Sequence, residues 1–308
     1  MMQFSFRMPN ADYLGFPATP EAILTAAQRA EELGFDAVLL NDHLIVKGNE
    51  EMVASWGNVY EPLTTMAYLA ARTERIRLAT SVLIMPYRNP VLTAKMVATL
   101  DQLSGGRIIL GLGAGWLESE FAALAVSHGD RGARTDEYIK VCQACWGPDP
   151  VSFKGEYHQF EDMHCSPKPV QQPHPPIWIG GSSKAALRRA AEVATVWQPV
   201  PTKLEDLIAH QANLQAACDK IGRAVPPQIR MSFRINFTHI TGKDPHGPDG
   251  TRLTGHGGAE DVAEDIAKFR DAAGLDQFQL NFNGCGGLEQ LEESMTLFME
   301  EVRPALEN

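Results

Sequence analysis

The most constraining feature of this sequence is a strand–helix–strand unit over residues 75–121 that ends in a glycine-rich turn. Ile76–Leu83 is apolar and β-branched, as a buried parallel strand would be, and the next segment has Leu92, Met96, Val97, Leu100 and Leu103 at helical spacing. The second strand, Arg107–Leu112, runs into Gly111-Leu-Gly-Ala-Gly115. Backbone N–H groups at such a turn can bind phosphate, so the unit predicts an anionic cofactor at the carboxyl ends of parallel strands.

Strand-like and helix-like segments alternate eight times along the chain. The predicted strands are Gln3–Met8, Phe35–Leu40, Arg75–Leu83, Arg107–Leu112, Ile177–Gly180, Thr195–Pro199, Arg230–Phe237 and Gln277–Asn281. The predicted helices are Pro20–Leu33, Pro62–Arg72, Pro90–Leu103, Arg131–Trp146, Lys184–Glu192, Leu204–Ile221, Ala259–Ala273 and Leu288–Leu306. This alternation predicts an α/β fold, a (β/α)8 TIM barrel with insertions at the C-terminal face of the strands, formed by one domain over residues 1–308. Residues 151–160 read as a small hairpin around Lys154-Gly155.

Composition limits the partners of the protein. With 38 acidic and 27 basic residues the net charge is −11, which disfavours nucleic acid and anionic lipid and favours a small-molecule substrate. No apolar run approaches the roughly 18 residues of a membrane span, and the N-terminus lacks the pattern of a signal peptide. We therefore expect a cytoplasmic protein that does not contact membranes.

The cysteines and histidines do not form a recognisable metal or disulfide pattern. Five scattered cysteines argue against a disulfide framework, and Cys142-Gln-Ala-Cys145, which has redox spacing, lies in a helix-like stretch where a structural role is the simpler interpretation. There is no H-x-H or H-E-x-x-H, so no metal is predicted.

Reactive side chains are expected where the strands end, because barrel active sites lie at the C-terminal ends of the strands. Asp42-His43 directly follows the second strand, and a carboxylate beside an imidazole can move protons near neutral pH. The alternative is a loop cap, in which Asp42 binds backbone N–H groups and His43 packs under the loop. Thr80, Ser81 and Val82 end the third strand and could line a pocket wall.

Two glycine turns suggest a phosphorylated ligand. Gly113-Ala114-Gly115 follows the fourth strand, and Gly180-Gly181-Ser182 follows the fifth and opens a helix. Lys184, Arg188 and Arg189 form the best local basic group beside the second turn. The tryptophans at strand ends would form an apolar pocket for a flat ring, with core packing as the competing interpretation; they are Trp56, Trp116 and Trp197.

Several of these passages together resemble the bacterial luciferase-like monooxygenase superfamily, whose members bind FMN or the deazaflavin coenzyme F420. The resemblance runs over most of the chain. The passages that carry it are Gly34-Phe35-Asp36 through Asp42-His43, Thr80-Ser81-Val82 with Pro86-Tyr87-Arg88-Asn89-Pro90, Ala94-Lys95 with Thr99-Leu100-Asp101, Ser104-Gly105-Gly106-Arg107, Gly111-Leu-Gly-Ala-Gly-Trp116, and Pro175-Pro-Ile-Trp-Ile-Gly-Gly181.

The resemblance implies roles that the residue patterns alone do not give. It implies a cis peptide bond at Ser81–Val82 that supports the central ring of the cofactor, and frequent assembly of relatives as homodimers. It places the cofactor among Thr80, Ser81, Val82, Gly113, Ala114, Gly115, Gly180, Gly181, Ser182 and Trp197. One departure is that Ala194-Thr-Val-Trp197 replaces the Gly-Asp-Gly-Trp of many relatives, with only the tryptophan kept. Asp42-His43 is similar to the pair in F420-dependent members, which favours F420 over FMN.

These features predict an F420-dependent oxidoreductase that transfers a hydride between the cofactor and a small organic substrate, with His43 moving the proton and Asp42 orienting it or contacting the ring. One alternative is an FMN-dependent two-component monooxygenase, which uses reduced FMN and O2 and needs a separate flavin reductase. Another is a flavin-binding protein without turnover. A phosphate-binding isomerase or aldolase barrel would need a strand-end lysine or glutamate, which the pattern does not offer.

Overall fold

Residues 2–200 and 203–307 are described by a computed structural model; Met1, Pro201, Thr202 and Asn308, which the single-domain prediction included, lie outside the described residues. Within those ranges a closed barrel of eight parallel strands confirms the predicted TIM barrel. The strands are β1 (Gln3–Arg7), β2 (Ala37–Leu40), β3 (Arg77–Thr80), β4 (Ile108–Gly113), β5 (Ile177–Gly180), β6 (Val196–Gln198), β7 (Gln228–Phe237) and β8 (Gln277–Phe282). Each strand pairs with the next, and β8 pairs with β1, which closes the barrel.

Helices cover the outside of the barrel. They are α1 (Pro20–Leu33), α2 (Pro62–Ala70), α3 (Pro90–Ser104), α4 (Arg131–Trp146), α5 (Lys184–Val193), α6 (Leu204–Lys220), α7 (Ala259–Ala273) and α8 (Leu288–Leu297). Proline at the first position fits α1, α2 and α3 because an N1 residue needs no intrahelical N–H bond. The predicted helix Leu288–Leu306 is divided, since a π-helical turn at Phe298–Val302 separates α8 from a final helix at Arg303–Glu307. None of the described helices has the length and apolar character needed to cross a membrane.

Short elements extend the barrel at the strand ends. The helix Glu50–Trp56 lies in the long connection after β2, and the helix Glu118–Ala123 follows the glycine turn after β4. After β3 the chain resumes as a short strand, Leu83–Ile84, which pairs with the end of β4. Val151–Lys154 and Gln159–Met163 pair antiparallel, which confirms the predicted hairpin.

The inside of the barrel is apolar on one half and polar on the other. The apolar half is a cluster of buried side chains from β2 to β6, namely Ala37, Leu39, Ala79, Ile109, Trp178 and Val196. On the other half, Gln277 accepts a hydrogen bond from buried Arg230 (2.9 Å), and Asn281 Nδ2 donates to Ser232 Oγ (2.8 Å). The outward-facing residues of β8, such as Phe278 and Leu280, pack in the core against the helices. Polar groups therefore lie directly below the C-terminal opening on the side of β7, β8 and β1.

The stripe prediction for α3 is partly wrong. Leu92 and Leu103 are 57% and 71% exposed, whereas Val97 and Leu100 are buried. The buried face is instead formed largely by small and polar residues, including Ala94 and Asp101. Spacing could not select the inner face because apolar residues occur on both sides of this helix.

Candidate active site

A cleft opens over the carboxyl ends of the strands. It consists of a cavity of about 700 Å³ and a neighbouring cavity of about 220 Å³ that share Arg7, Ser81, Val82, Ile84, Gly115 and Trp116 in their walls. The predicted site residues in these walls are Asp42, His43, Ser81, Val82, Gly113, Ala114, Gly115, Gly180, Gly181 and Ser182. The fold thus brings together most of the residues that the sequence selected, from four different strand ends.

Two residues predicted to contact the cofactor, Thr80 and Trp197, lie outside the walls of the cleft. Both side chains are fully buried and neither lines the cleft. Thr80 Oγ1 donates to the carbonyl of Gly111 (2.6 Å), which ties β3 to β4. Trp197 Nε1 donates to the carbonyl of Gly181 (2.8 Å), so it supports the glycine turn from behind. Successive side chains of a strand point to opposite faces. Ser81 and Gln198 face the inside of the barrel, so the neighbouring Thr80 and Trp197 point away from it.

The Ser81–Val82 peptide bond is cis, as the resemblance implied. Ser81 Oγ donates to Gln279 Oε1 (2.9 Å) inside the barrel. The Val82 side chain lies between two glycine turns, since a Cβ on Gly113 would be 2.6 Å from Val82 Cγ2 and a Cβ on Gly180 would be 2.8 Å from Val82 Cγ1. The sequence predicted that a ligand would approach the backbone at these glycines. In the structure the Val82 side chain occupies the space where their Cβ atoms would lie.

We expect Gly113→Ala to lower the free energy of unfolding by about 1–3 kcal/mol, because the new methyl group must displace Val82. Val82→Ala in the same chain removes the clashing atoms, so the double variant should lose less than the sum of the two single losses. Urea unfolding of all three proteins measures this coupling. Gly287→Ala is the control, since an added Cβ there has no atom within 4 Å. Strict additivity would contradict the assigned packing.

One end of the cleft has the features of a phosphate site. Ser182 and Ser183 line it at the start of α5, and Ser183 Oγ caps the helix by accepting from Ala186 N. Arg131 lines the same region; its Nε donates to the Gly115 carbonyl (3.2 Å), and no described carboxylate lies within ion-pair distance of it. A helix N-terminus beside an arginine without a carboxylate partner favours an anion.

The predicted basic group Lys184, Arg188 and Arg189 does not supply that charge. Arg188 and Arg189 both pair with Asp136, and Arg188 also pairs with Glu192. Arg189 borders the cleft, but its Nε is 2.6 Å from Asp136 Oδ1. Lys184 is absent from the described cleft walls. Arg131, which sequence reasoning missed, is the cation of this region, and no local motif distinguished it from neighbouring arginines of α4.

The other end of the cleft contains His43 held by a buried glutamate. His43 Nδ1 lies 2.8 Å from Glu120 Oε2, and the Glu120 side chain is fully buried. The same carboxylate accepts hydrogen bonds from Leu44 N (2.8 Å) and Tyr87 Oη (2.9 Å). Indole rings flank the imidazole, with ring centroids 5.0 Å away at Trp56 and 6.1 Å away at Trp116. Both tryptophans line the smaller cavity, and Trp116 is 58% exposed.

The charge state of this cluster follows from its hydrogen bonds. Burial raises the pKa of Glu120, but the bonds from His43 and Leu44 N outweigh burial and hold that pKa below its ordinary value. Burial and the Glu120 charge raise the pKa of Tyr87, so its hydroxyl stays protonated and donates. An ionised glutamate bonded to Nδ1 fixes the orientation of the imidazole, which suits general acid–base work.

Asp42, which was expected to orient His43 or to contact the cofactor ring, has Arg88 and a backbone N–H as its partners. Asp42 forms a bidentate pair with Arg88 (2.7 and 2.8 Å) and accepts from Ile84 N (2.8 Å). Burial raises the pKa of Asp42, and the Arg88 guanidinium opposes this rise. Asp42 therefore connects the end of β2 to the segment that follows the cis peptide bond. Glu120 is the carboxylate bonded to the His43 imidazole. The Glu118-Ser-Glu120 pattern contains two carboxylates, and spacing alone does not show which one turns inward.

Metal and thiol chemistry have no visible support in the described part of the chain. It contains no group of three or more His, Cys, Asp or Glu side chains arranged to hold a metal ion. All five cysteines are buried and free, and burial raises the pKa of Cys142. A buried thiol with a raised pKa is inert, in agreement with the structural interpretation of Cys142 and Cys145.

Comparisons of this sequence with known proteins agree on one family. The family model for luciferase-like monooxygenases matches residues 2–246. An FMNH2-dependent dimethylsulfone monooxygenase from Pseudomonas putida is 34% identical over 204 residues, which are 65% of this chain and 54% of that protein. An F420-dependent glucose-6-phosphate dehydrogenase from Amycolatopsis mediterranei is 37% identical over 175 residues, 56% of this chain and 50% of that protein. The matches thus span about half the length of these curated relatives.

A comparison of structures agrees on the fold. An F420-dependent secondary alcohol dehydrogenase, solved in complex with an F420–acetone adduct, superimposes with a TM-score of 0.81. The match covers 100% of this chain and 99% of that chain at 20% sequence identity. The likeness therefore concerns the barrel architecture.

Proposed function

Because the chain belongs to the luciferase-like monooxygenase family, we propose that it is an F420-dependent oxidoreductase acting on a small organic substrate. The observation that carries this proposal is the His43–Glu120 pair at the end of the cleft. When a hydride moves between the cofactor and a carbonyl or alcohol carbon of the substrate, a proton must move to or from the oxygen, and a histidine held by an ionised carboxylate can provide or accept it.

The residues of the cleft fit a phosphorylated tricyclic cofactor. The larger cavity of about 700 Å³ lies within the usual range for ligand sites and runs from Ser182 to Arg7. At one end Arg131 and the start of α5 offer a cation and backbone N–H groups for a phosphate. In the middle the Ser81–Val82 segment forms the wall on which a ring can rest.

The residues of this chain have separate roles in the proposed reaction. When bound, the reduced cofactor supplies a hydride. His43 holds the proton at its ring, and Glu120 keeps the imidazole oriented through Nδ1. Trp56 and Trp116 flank the imidazole, whose side chain is 12% exposed, and partial burial of this kind strengthens the His43–Glu120 interaction. Arg88 neutralises Asp42, so this second carboxylate adds little negative charge beside the reacting groups.

FMN-dependent monooxygenation is the second candidate, and one finding favours it. The relative matched over 204 residues is an FMNH2-dependent dimethylsulfone monooxygenase. In that case the protein would receive reduced FMN from a separate flavin reductase, and the apolar walls around His43 would limit the access of water to the reacting ring.

The experiment that tests the proposal is a titration of the purified protein with F420 and FMN, followed by absorbance and fluorescence. We expect F420 to bind at least tenfold more tightly than FMN. We expect Arg131→Gln to weaken either phosphorylated cofactor by about 10- to 100-fold, since a charge-assisted hydrogen bond contributes about 1.5–3 kcal/mol. Riboflavin, which lacks the phosphate, should bind both proteins equally. Arg75→Gln, at an exposed arginine, serves as the control variant.

Each outcome has a defined meaning. Tight FMN binding without a response to F420 would replace the F420 proposal with the monooxygenase candidate. Absence of binding by both cofactors would overturn the oxidoreductase proposal. Equal weakening of riboflavin and FMN in the Arg131 variant would show that Arg131 does not contact the phosphate.

A further inference from the structure

Two arginines that the proposed chemistry does not use lie in one row of the barrel. Phe6 of β1 pairs with Leu280 of β8, so Arg7 and Asn281 follow in the same register. On the other side of β8, Asn281 pairs with Arg234 of β7. Arg7 and Arg234 therefore flank Asn281 on three adjacent strands. Alternation gives all three the inward register. Arg7 borders both cavities of the cleft, whereas the exposed Arg234 lies in the wall of a neighbouring cavity that does not include Arg7.

Arg7 is held firmly but lacks an anionic partner. Its Nε donates to Asn41 Oδ1 (2.7 Å), and its guanidinium carbon lies 4.4 Å from the Tyr13 ring centroid and 5.4 Å from that of Trp56. Among residues 2–200 and 203–307, no carboxylate lies within 4.0 Å of it and neither Nη atom has a hydrogen-bond partner. Arg7 borders both cavities of the cleft.

The surrounding charges increase the positive potential at this end of the cleft. Burial lowers the pKa of Arg7, and the nearby charge of Arg234 lowers it further. Arg234 is exposed and has no ion pair in the described part of the chain. Below them, Arg230 lines the larger cavity with Nε and Nη1 buried and without partners. The carboxylates of this end are already engaged, Asp42 by Arg88 and Glu120 by His43.

An enclosed cation without a counter-ion is costly, and the cost falls when an anion binds. This excess of positive charge occurs in a protein whose net charge is −11, so it is a local arrangement. It lies away from the proposed phosphate site, which has Arg131 and Ser182. It lies close to the proposed acid–base group, because Trp56 contacts both Arg7 and His43.

We propose that Arg7 binds the acidic group of the substrate, which is therefore a small organic anion such as a carboxylate or a sulfonate, and that Arg234, in the wall of a neighbouring cavity, adds only its longer-range positive charge. This inference rests on the proposed function, in which His43 faces the reacting part of the same molecule. The guanidinium of Arg7 can form two parallel hydrogen bonds to such a group because both Nη atoms are unused. Arg7 is thus a specificity-determining residue, and Tyr13 and Trp56 fix its orientation.

The test uses matched anionic and neutral probes on protein saturated with whichever cofactor binds, so that the phosphate site is filled. Calorimetry and the absorbance of the bound ring report the binding of methanesulfonate against dimethyl sulfone, and of benzoate against benzamide. We expect each anion to bind at least tenfold more tightly than its neutral partner. Arg7→Gln should remove most of this preference, and Arg234→Gln should reduce it by about threefold. Arg75→Gln, at an exposed arginine outside the cleft walls, should leave the preference unchanged.

Other results would overturn the inference. Equal affinity for anions and neutral probes in the wild type would contradict it, as would a loss in Arg7→Gln that is equal for both probe types or that affects the cofactor itself. If Arg7→Gln does not fold, the preference in wild type and its reduction in Arg234→Gln and at high salt decide the question. Failure of cofactor binding would count against the proposed function, whereas cofactor binding without an anion preference would count only against this inference.

Discussion

Replacement of Arg88 by methionine is expected to lower the free energy of unfolding by about 3–5 kcal/mol, because it leaves the buried Asp42 carboxylate without its partner. The Asp42 side chain is fully buried, and Arg88 is its only ion-pair partner among the described residues. Chemical denaturation at neutral pH measures the loss. Arg75→Met, which removes an exposed arginine beside Glu74, should leave the unfolding transition unchanged.

The loss should depend on pH in a defined direction. Burial raises the pKa of Asp42, and removal of the Arg88 charge leaves this rise unopposed. A carboxyl group whose folded pKa is raised stabilises the fold below its unfolded pKa and loses that contribution as the pH rises. The loss in the free energy of unfolding caused by Arg88→Met should therefore be smallest near pH 4, which is about the ordinary pKa of aspartate, and should grow toward pH 7. A small deficit that does not change with pH would contradict the assigned role of this pair.

Replacement of His43 by glutamine is expected to lower kcat by about 10²- to 10⁴-fold while cofactor affinity changes little, because the imidazole moves the proton in the proposed reaction. Turnover is measured with the best substrate from a panel of alcohols, ketones and organic acids, and cofactor binding is measured by titration. Unchanged turnover of bound cofactor in the variant would show that His43 is not the acid–base group. Absence of turnover in the wild type would support a flavin-binding protein without catalysis.

Glu120→Gln tests the positioning role separately from the chemistry. The neutral amide can still accept a hydrogen bond from the histidine, but it has no negative charge to fix the ring. We expect a smaller loss of kcat than in His43→Gln, with little change in KM for the substrate. An unchanged kcat would show that Glu120 does not position the imidazole and only supports the loop at Leu44.

The sequence predicted the barrel well because each strand and helix has its own periodic signal. The helices Pro20–Leu33, Arg131–Trp146 and Ala259–Ala273 have the predicted bounds, and the cis bond at Ser81–Val82 was implied by resemblance. The strand ends fixed which segments meet at the cleft, so His43 and the glycine turns were placed correctly near one another.

The site contacts were harder to predict because they depend on the direction in which each side chain points. Thr80 and Trp197 were assigned to the cofactor although strand alternation turns both outward. Asp42 is adjacent to His43 in sequence, but neighbouring residues after a strand point in different directions, and Asp42 meets Arg88. Glu120 lies 77 residues from His43 and Arg7 lies 34 residues from Asn41, so no local pattern connects them.

In the proposed complex a tricyclic cofactor rests on the Ser81–Val82 segment, with His43 at one end and Arg131 at the other. A crystal structure of the protein with F420 or FMN bound tests it most directly. We expect the ring over Ser81–Val82 and the phosphate beside Ser182 and Arg131. A cofactor bound elsewhere, such as the separate cavity lined by Lys203 and Phe269, would contradict it.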